Sequence, residues 1–281
     1  MNILNIPEAM RLWSRNQRAT HKRIGFVPTM GALHEGHASL IRRSVTDNDR
    51  TVVSIFVNPT QFAPNEDFEE YPRTWDADLA LCEELGVDAI YHPQASTLYP
   101  EGYATYVDVE NVSEGLCGSS RPHFFRGVAT VVTKLFNAVE PDRAYFGQKD
   151  AQQAAVIIRM TRDLDLGIDI VVMPIVREAD GLALSSRNRY LNPEERERAL
   201  AISKGLFAAK EMLDAGERDG ETLIEAVRRH LDDHVAIDYV ELVDAETMQP
   251  VSRVAGPVVL AVAAFVGMTR LIDNIRYPDG S

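Results

Sequence analysis

Two imidazoles stand three residues apart in His34-Glu35-Gly36-His37. They follow an apolar run, 24–27, and a turn-forming Pro28-Thr29-Met30-Gly31. A strand that turns into a helix presents the helix N-terminus, with its free N–H groups and positive dipole end, which suits phosphate. Two imidazoles there can both face such a ligand, and Gly36 lets the backbone approach it closely. A zinc site and ordinary surface histidines are the alternatives. The HExxH zinc pattern is not met, because the residue four after His34 is Ala38. No cysteine lies near enough in sequence to serve as a third ligand.

Two further segments carry cations in suitable settings. Leu184-Ser185-Ser186-Arg187-Asn188 follows Asp180-Gly181. Small hydroxyls and a guanidinium in one loop can bind phosphate oxygens, and such a loop could close over them. A polar interdomain turn is the plainer reading. Gly147-Gln148-Lys149-Asp150 is a second glycine turn from strand to helix, with Gln152 and Gln153 on the first helical turn. A lysine at a helix N-terminus is at the wrong end for the dipole, unless an anion lies between them. The alternative is an exposed lysine beside an N-capping Asp150.

The elements that must position these residues alternate. Strand-like runs fall at 24–27, 51–57, 87–91, 144–146 and 168–173. Helical patterns fall at 8–19 after Pro7, then 37–46, 76–85 (closed by Gly86), 128–138 and 150–164. The segment 58–71 reads as a polar loop. Strand then helix, repeated, predicts an α/β fold: a Rossmann-like parallel sheet with helices on both faces. Past Val176 the pattern becomes two helices, 193–213 and 221–234, then strands near 237–243, 258–265 and 269–275. That order predicts a smaller C-terminal α+β domain with an antiparallel sheet. We expect domains at 1–176 and 177–281.

Composition narrows the partners. The chain has 281 residues and a net charge of −13, which argues against general nucleic-acid binding. The most apolar stretch, 257–267, is too short for a membrane span and reads as a buried strand. The first residues lack the basic and apolar regions of a secretory signal. Two cysteines, Cys82 and Cys117, make neither a disulfide framework nor a metal spacing. Cytoplasmic location is the simplest expectation.

An early HxGH and a later Ser-Ser-Arg loop resemble the adenylyl-transferring Rossmann-like superfamily. The resemblance narrows along PTMGALHEGHASLI, VSIFVNPTQF, RGVATVVTKLFN, GQKDAQQ and READGLALSSRNRYL. Those five segments, in that order, resemble the pantothenate synthetase family and cover most of 24–191. The resemblance implies ATP-dependent joining of pantoate to β-alanine through a pantoyl adenylate, with release of pyrophosphate and AMP. It also implies Mg²⁺ with the ATP, a homodimer, and a C-terminal lid domain. By the same resemblance, Pro28, Thr29, Met30, Gly31, His34, Gly36 and His37 form the nucleotide turn, and His37 is the main catalytic histidine. Lys149 and Arg187 hold the β and γ phosphates with Ser185 and Ser186, so both count among the catalytic residues beside His34 and His37. Gly147, Gln148, Asp150, Val176 and Leu184 line the ATP. Gln61 and Gln153 bind pantoate, with Met30 beside them. Asp78 is a weak candidate for a magnesium contact.

The chain departs from the family pattern at four places. Leu184 stands where Met is usual, a swap that conserves volume. Gln148 replaces a frequent Glu and Ala151 a frequent aromatic. His123 lies one place early within Arg121-Pro122-His123-Phe124-Phe125-Arg126, so no role is assigned to it; Arg121 and Arg126 are possible local cations. Another nucleotidyltransferase of the superfamily is the alternative activity. A catalytically dead nucleotide-binding module would have lost His37, Lys149 or Arg187, and all three are present.

Overall fold

Short runs of β-branched and aromatic residues, each closed by a turn, form the larger sheet. The computed structural model describes residues 1–64, 66–231 and 235–279. Its strands are β1 (Asn2–Leu4), β2 (Ile24–Thr29), β3 (Arg50–Ile55), β4 (Ala89–Tyr91), β5 (Arg143–Gly147) and β6 (Asp169–Met173). They lie in the order β1-β4-β3-β2-β5-β6, and every pair is parallel. β2 sits between β3 and β5, so the chain leaves it toward one side of the sheet and later returns on the other. A reversal of this kind opens a crevice at the carboxyl ends of the strands.

Both faces of the sheet are covered, as alternation along β2 shows. Phe26 meets Phe136 of the helix Phe124–Val139 edge to face, at 6.2 Å between centroids. Its neighbour Val27 packs with Leu40 and Ile41 of the helix Glu35–Asp47, together with Val53, Ile90 and Tyr145. Both flanks of β2 are therefore apolar, which is why it reads as a continuous run rather than an alternating one.

The second sheet is antiparallel: β7 (Ala236–Asp244), β8 (Val258–Val266) and β9 (Thr269–Tyr277), in that order. Helices Pro193–Asp214 and Gly220–Leu231 pack on it through Ile202, Leu206, Leu213, Leu223 and Val227, all at most 2 % exposed. Asn192 caps the longer helix through a reciprocal pair with Glu195.

The chain divides into two compact units. One comprises Met1–Val109, His123–Gly147 and Val156–Met173; the other comprises Glu110–Pro122, Gln148–Ala155 and Pro174–Ser281. Several limits differ from the sequence reading. β1 is an unanticipated edge strand of three residues. The helix expected at 37–46 starts at Glu35, so His37 lies inside its first turn. The helix expected from 128 starts at Phe124. That expected from 150 starts at Ala151, after a 3-10 turn Gln148–Asp150. Of the helix expected at 221–234, the last three positions lie outside the described residues, as does position 65 of the loop expected at 58–71.

Candidate active site

The turn after β2 is built from two consecutive left-handed residues, Gly31 (φ 82°) and Ala32 (φ 50°). A Cβ on Gly31 would also stand 3.0 Å from an Asp78 oxygen and 3.1 Å from Ile55, so glycine is required there. Asp78 clamps this turn. Its Oδ2 accepts the Ala32 N–H at 3.0 Å, and its Oδ1 accepts the Leu33 N–H at 2.8 Å and the Thr74 hydroxyl at 3.1 Å. The carboxylate is 2 % exposed. Thr29 completes the turn, donating to Ser54 O at 2.7 Å and accepting the Gly31 N–H at 3.1 Å.

His34 and His37 cap the helix that follows. His34 Nδ1 accepts the Gly36 N–H at 3.1 Å, and His37 Nδ1 accepts the His34 N–H at 3.3 Å. The rings lie 4.2 Å apart at 40°. A nitrogen that accepts an N–H offers its lone pair, so Nδ1 of each ring is unprotonated and a neutral ring carries its proton on Nε2. Two half-buried N–H donors therefore stand at a helix N-terminus on the carboxyl edge of the sheet. The two backbone bonds to Nδ1 set the tautomer of each neutral ring.

The loop after β3 lies at the same edge. Gln61 Nε2 donates to Met30 Sδ at 3.2 Å, which joins the two turns. Gln61 Oε1 accepts from Asn58 Nδ2 at 3.1 Å. Asn58, 1 % exposed, also donates to Gly127 O at 3.2 Å and accepts from Tyr99 OH at 2.8 Å and Thr60 Oγ1 at 3.0 Å. Gly127 sits inside a helix, where glycine costs roughly 0.5–1 kcal/mol relative to alanine. A Cβ there would fall 2.4 Å from Thr60 O and 2.8 Å from Gln61 N, so the helix can approach this loop only through glycine. Asn58, Tyr99 and Gly127 had no assignment from sequence. The small residue in an otherwise apolar helix, Arg126-Gly127-Val128, was the available signal.

The other unit carries the remaining candidates. β5 ends at Gly147, and Gln148, Lys149 and Asp150 form the 3-10 turn that follows. Lys149 is half-buried, and Asn274 Nδ2 donates to the carbonyls of Gln148 and Lys149 at 2.9 and 3.0 Å. Gln152 is the buried glutamine of the next turn. It accepts from Cys117 N and donates to Val112 O and Gly115 O, whereas Gln153 is half-buried. The Ser185-Ser186-Arg187 segment, read from sequence as a polar turn or a loop that could close, enters a 3-10 turn, Ser186–Tyr190, and follows a hairpin. Leu184 N donates to Val176 O at 3.0 Å, Glu178 N donates to Leu182 O at 2.8 Å, and Gly181 (φ 95°) lies at its tip. Asn188 and Arg196 both bond Glu178, and Arg196 also bonds Asp180. Ser185, Ser186 and Arg187 follow this hairpin, all half-buried, and Ser185 Oγ accepts the Arg187 N–H at 3.3 Å.

Among the described residues no group of three His, Cys, Asp or Glu could hold a metal ion. Asp78 has both oxygens committed to the turn. The imidazoles have their Nδ1 lone pairs occupied. No helix among the described residues is long and apolar enough to cross a membrane.

Residues 2–276 match the family model for pantoate-beta-alanine ligase. The chain is 55% identical over 276 residues to pantothenate synthetase of Thermotoga petrophila, covering 98% of this chain and 99% of that one. The crystal structure of pantothenate synthetase from Thermus thermophilus superposes with a TM-score of 0.91 at 42% identity, covering 98% of this chain and 99% of that chain. The pantoate-beta-alanine ligase of Francisella tularensis, solved with a β,γ-ATP compound and β-alanine, superposes with a TM-score of 0.81 at 34% identity, covering 100% and 99%.

Proposed function

Because the chain belongs to the pantoate-beta-alanine ligase family, we infer that it condenses pantoate with β-alanine, using ATP and releasing AMP and pyrophosphate. The observation that carries the reading to particular atoms is the reciprocal histidine cap, which leaves proton-bearing Nε2 atoms at a helix N-terminus.

The first half-reaction sets a carboxylate against an anionic α-phosphate. It needs donors placed where charge develops on the phosphorus oxygens, and close positioning of the two reactants. In this reading His37 donates through Nε2–H to the α-phosphate and His34 to the neighbouring oxygens. With Nδ1 bound to backbone, each ring serves as a hydrogen-bond donor. The pantoate oxygen forms the new bond to phosphorus as the bond to pyrophosphate breaks. In the second half-reaction the amine of β-alanine attacks the acyl carbon, and AMP leaves.

The remaining residues take the roles that the resemblance implies. Lys149 and Arg187, helped by Ser185 and Ser186, neutralise the β and γ phosphates. Pro28 to Gly31, Gly36, Gly147, Gln148, Asp150, Val176 and Leu184 line the nucleotide. Gln61 and Gln153 bind pantoate. Gln61 is well prepared for this, since its amide N–H₂ now donates to a thioether, a weak acceptor that a ligand oxygen would outcompete. Mg²⁺ would be carried by phosphate oxygens and water, in keeping with the lack of a three-ligand cluster among the described residues. A homodimer, a cytoplasmic location and a lid role for 177–281 belong to the same reading, and light scattering tests the first.

Purified protein with ATP, Mg²⁺, pantoate and β-alanine should release AMP and pyrophosphate, with pyrophosphate strictly dependent on pantoate. Release that ignores pantoate would overturn the assignment and favour another nucleotidyltransferase.

A further inference from the structure

β9 places two polar side chains, Asp273 and Asn274, at 4 % and 3 % exposure. Adjacent strand residues point to opposite faces, and these two bind different segments. On one face Asp273 takes Arg177 in a two-pronged pair, Nη1 to Oδ2 at 2.6 Å and Nη2 to Oδ1 at 2.9 Å. Arg177 opens the hairpin that leads to Ser185, Ser186 and Arg187. It also donates to Gly181 O at the tip, at 3.1 Å, and lies over the Phe207 ring at 4.9 Å. On the other face Asn274 uses its whole amide on the Lys149 turn. Nδ2 donates to Gln148 O and Lys149 O, and Oδ1 accepts from Gln148 Nε2 at 2.9 Å. The two residues are coupled, since Asn274 N donates to Asp273 Oδ1 at 2.8 Å.

We propose that Asp273 and Asn274 are positioning residues for ATP: one dipeptide of the last strand sets the register of both cation-bearing segments, the Lys149 turn and the 176–184 hairpin that leads into Arg187. The proposal rests on the reading of Lys149 and Arg187 as phosphate contacts. Capturing the carbonyls on either side of the Lys149 Cα fixes two successive peptide planes, and with them the direction in which the ammonium leaves the backbone. Tying Arg177 at both the base and the tip of the hairpin does the same for the segment that ends at Arg187. A cation aimed in advance loses less freedom when the phosphate arrives. A buried asparagine whose amide is bonded to one turn, and a buried carboxylate paired with the guanidinium of another, are satisfied groups that hold those segments rigidly.

The test compares wild type with Asn274→Ala, Asn274→Asp, Asp273→Asn and the exposed control Arg276→Ala. KM for ATP, KM for pantoate and thermal midpoint are measured for each. Asn274→Asp keeps the size but removes both donors, so it serves where the alanine variant is poorly folded. The expected result is a KM for ATP raised about tenfold or more in the Asn274 and Asp273 variants, two lost bonds being worth about that factor. KM for pantoate should stay within about twofold, and Arg276→Ala should match wild type. In a cycle with Lys149→Ala, the double variant with Asn274→Ala should bind ATP no worse than Lys149→Ala alone, because Asn274 acts through Lys149. A purely structural role would instead lower the midpoint and the yield of active enzyme, leave both KM values in place, and add to Lys149→Ala. That outcome overturns the proposal. Wild type that makes no pantoate-dependent pyrophosphate overturns the underlying reading, separately from any variant.

Discussion

Replacing Asp78 separates two roles that a carboxylate near a nucleotide can have. As a metal ligand it would be felt in the dependence on Mg²⁺; as a clamp it would be felt in the turn. The geometry favours the clamp, with Ala32 N–H, Leu33 N–H and the Thr74 hydroxyl all bonded to one carboxylate at 2 % exposure. Asp78→Ala strands two backbone donors at about 1–3 kcal/mol each. It also withdraws support from Ala32, whose left-handed conformation is itself unfavourable by about 1–2 kcal/mol for an L-residue. The two donors alone put the loss at about 2–6 kcal/mol. At roughly 2–4 °C per kcal/mol for a chain of a few hundred residues, the melting midpoint should fall by about 4–24 °C. Asp78→Asn keeps one acceptor and should fall between. Because the clamped turn leads directly into His34, kcat should drop about tenfold or more in the folded fraction. Excess Mg²⁺ should not restore it. Melting and kcat are measured on the same preparations across a Mg²⁺ series. An unchanged midpoint with activity recovered by added Mg²⁺ would refute the clamp and return Asp78 to the metal.

His37→Ala should lower kcat by about 10²-fold or more, the scale for one lost donor to developing charge; unchanged turnover in a steady-state assay would remove it from the mechanism. Gln61→Ala should weaken pantoate much more than ATP in a binding titration, and equal losses would refute its assignment. Gly127→Ala must push the 58–61 turn aside, since Thr60 O lies 2.4 Å from the new Cβ; overpacking of this kind costs about 1–3 kcal/mol. It should raise KM for pantoate as Gln61→Ala does, and an unaltered KM would dissociate the helix contact from the site. Burial, and then the charge of Asp78, push the Cys82 thiol up to about 12, and burial raises Cys117 as well. A thiol whose pKa is raised stays protonated as pH climbs past its ordinary value of about 8.5. Native protein at pH 8 should therefore resist a disulfide reagent until denaturant is added, and prompt reaction of two thiols would contradict this packing.

The parallel character of the larger sheet and both sets of candidate cations are legible in features that are local in sequence, whereas the strand order is not. A continuous apolar strand, a glycine turn and a helix are each written in fewer than twenty residues, and the order of such units gives the parallel sheet. β1 escaped because three residues with an exposed pattern carry no period. The supports of the site escaped for a different reason. Asp78 lies 46 residues from the Ala32 N–H it holds, Gly127 lies 69 from Asn58, and Asn274 lies 125 from the Lys149 carbonyl. A single aspartate in a first helical turn, or an asparagine in a strand, looks the same whether it faces water or a distant backbone. Only the fold tells the two apart. The segment 176–188 shows the converse. Its composition, rich in Ser, Asn, Asp and Gly, is that of a loose loop, yet Arg177, Glu178, Asn188 and Arg196 knit it tightly.

The histidine cap explains why this helix begins with imidazoles rather than with the residues that cap best. Asp, Asn, Ser and Thr are the usual choices for an N-cap. An aspartate at position 34 would cap well, but it would place a full negative charge where the proposed reading puts the phosphates. A serine would cap without charge, but its short side chain spends its acceptor on the backbone and reaches little farther. An imidazole divides the two tasks between its two nitrogens. Nδ1 satisfies the backbone at 3.1 Å in His34 and 3.3 Å in His37, and that bond decides which nitrogen keeps the proton. Nε2 then stands one ring width farther out as a neutral donor. The exchange of caps between His34 and His37 fixes the two rings against each other at 4.2 Å, so both donors are set before a ligand arrives. Asparagine at position 34 should thus preserve the helix and its stability while lowering kcat, whereas aspartate should preserve the helix and weaken ATP as well. The contrast separates capping from chemistry at a single residue.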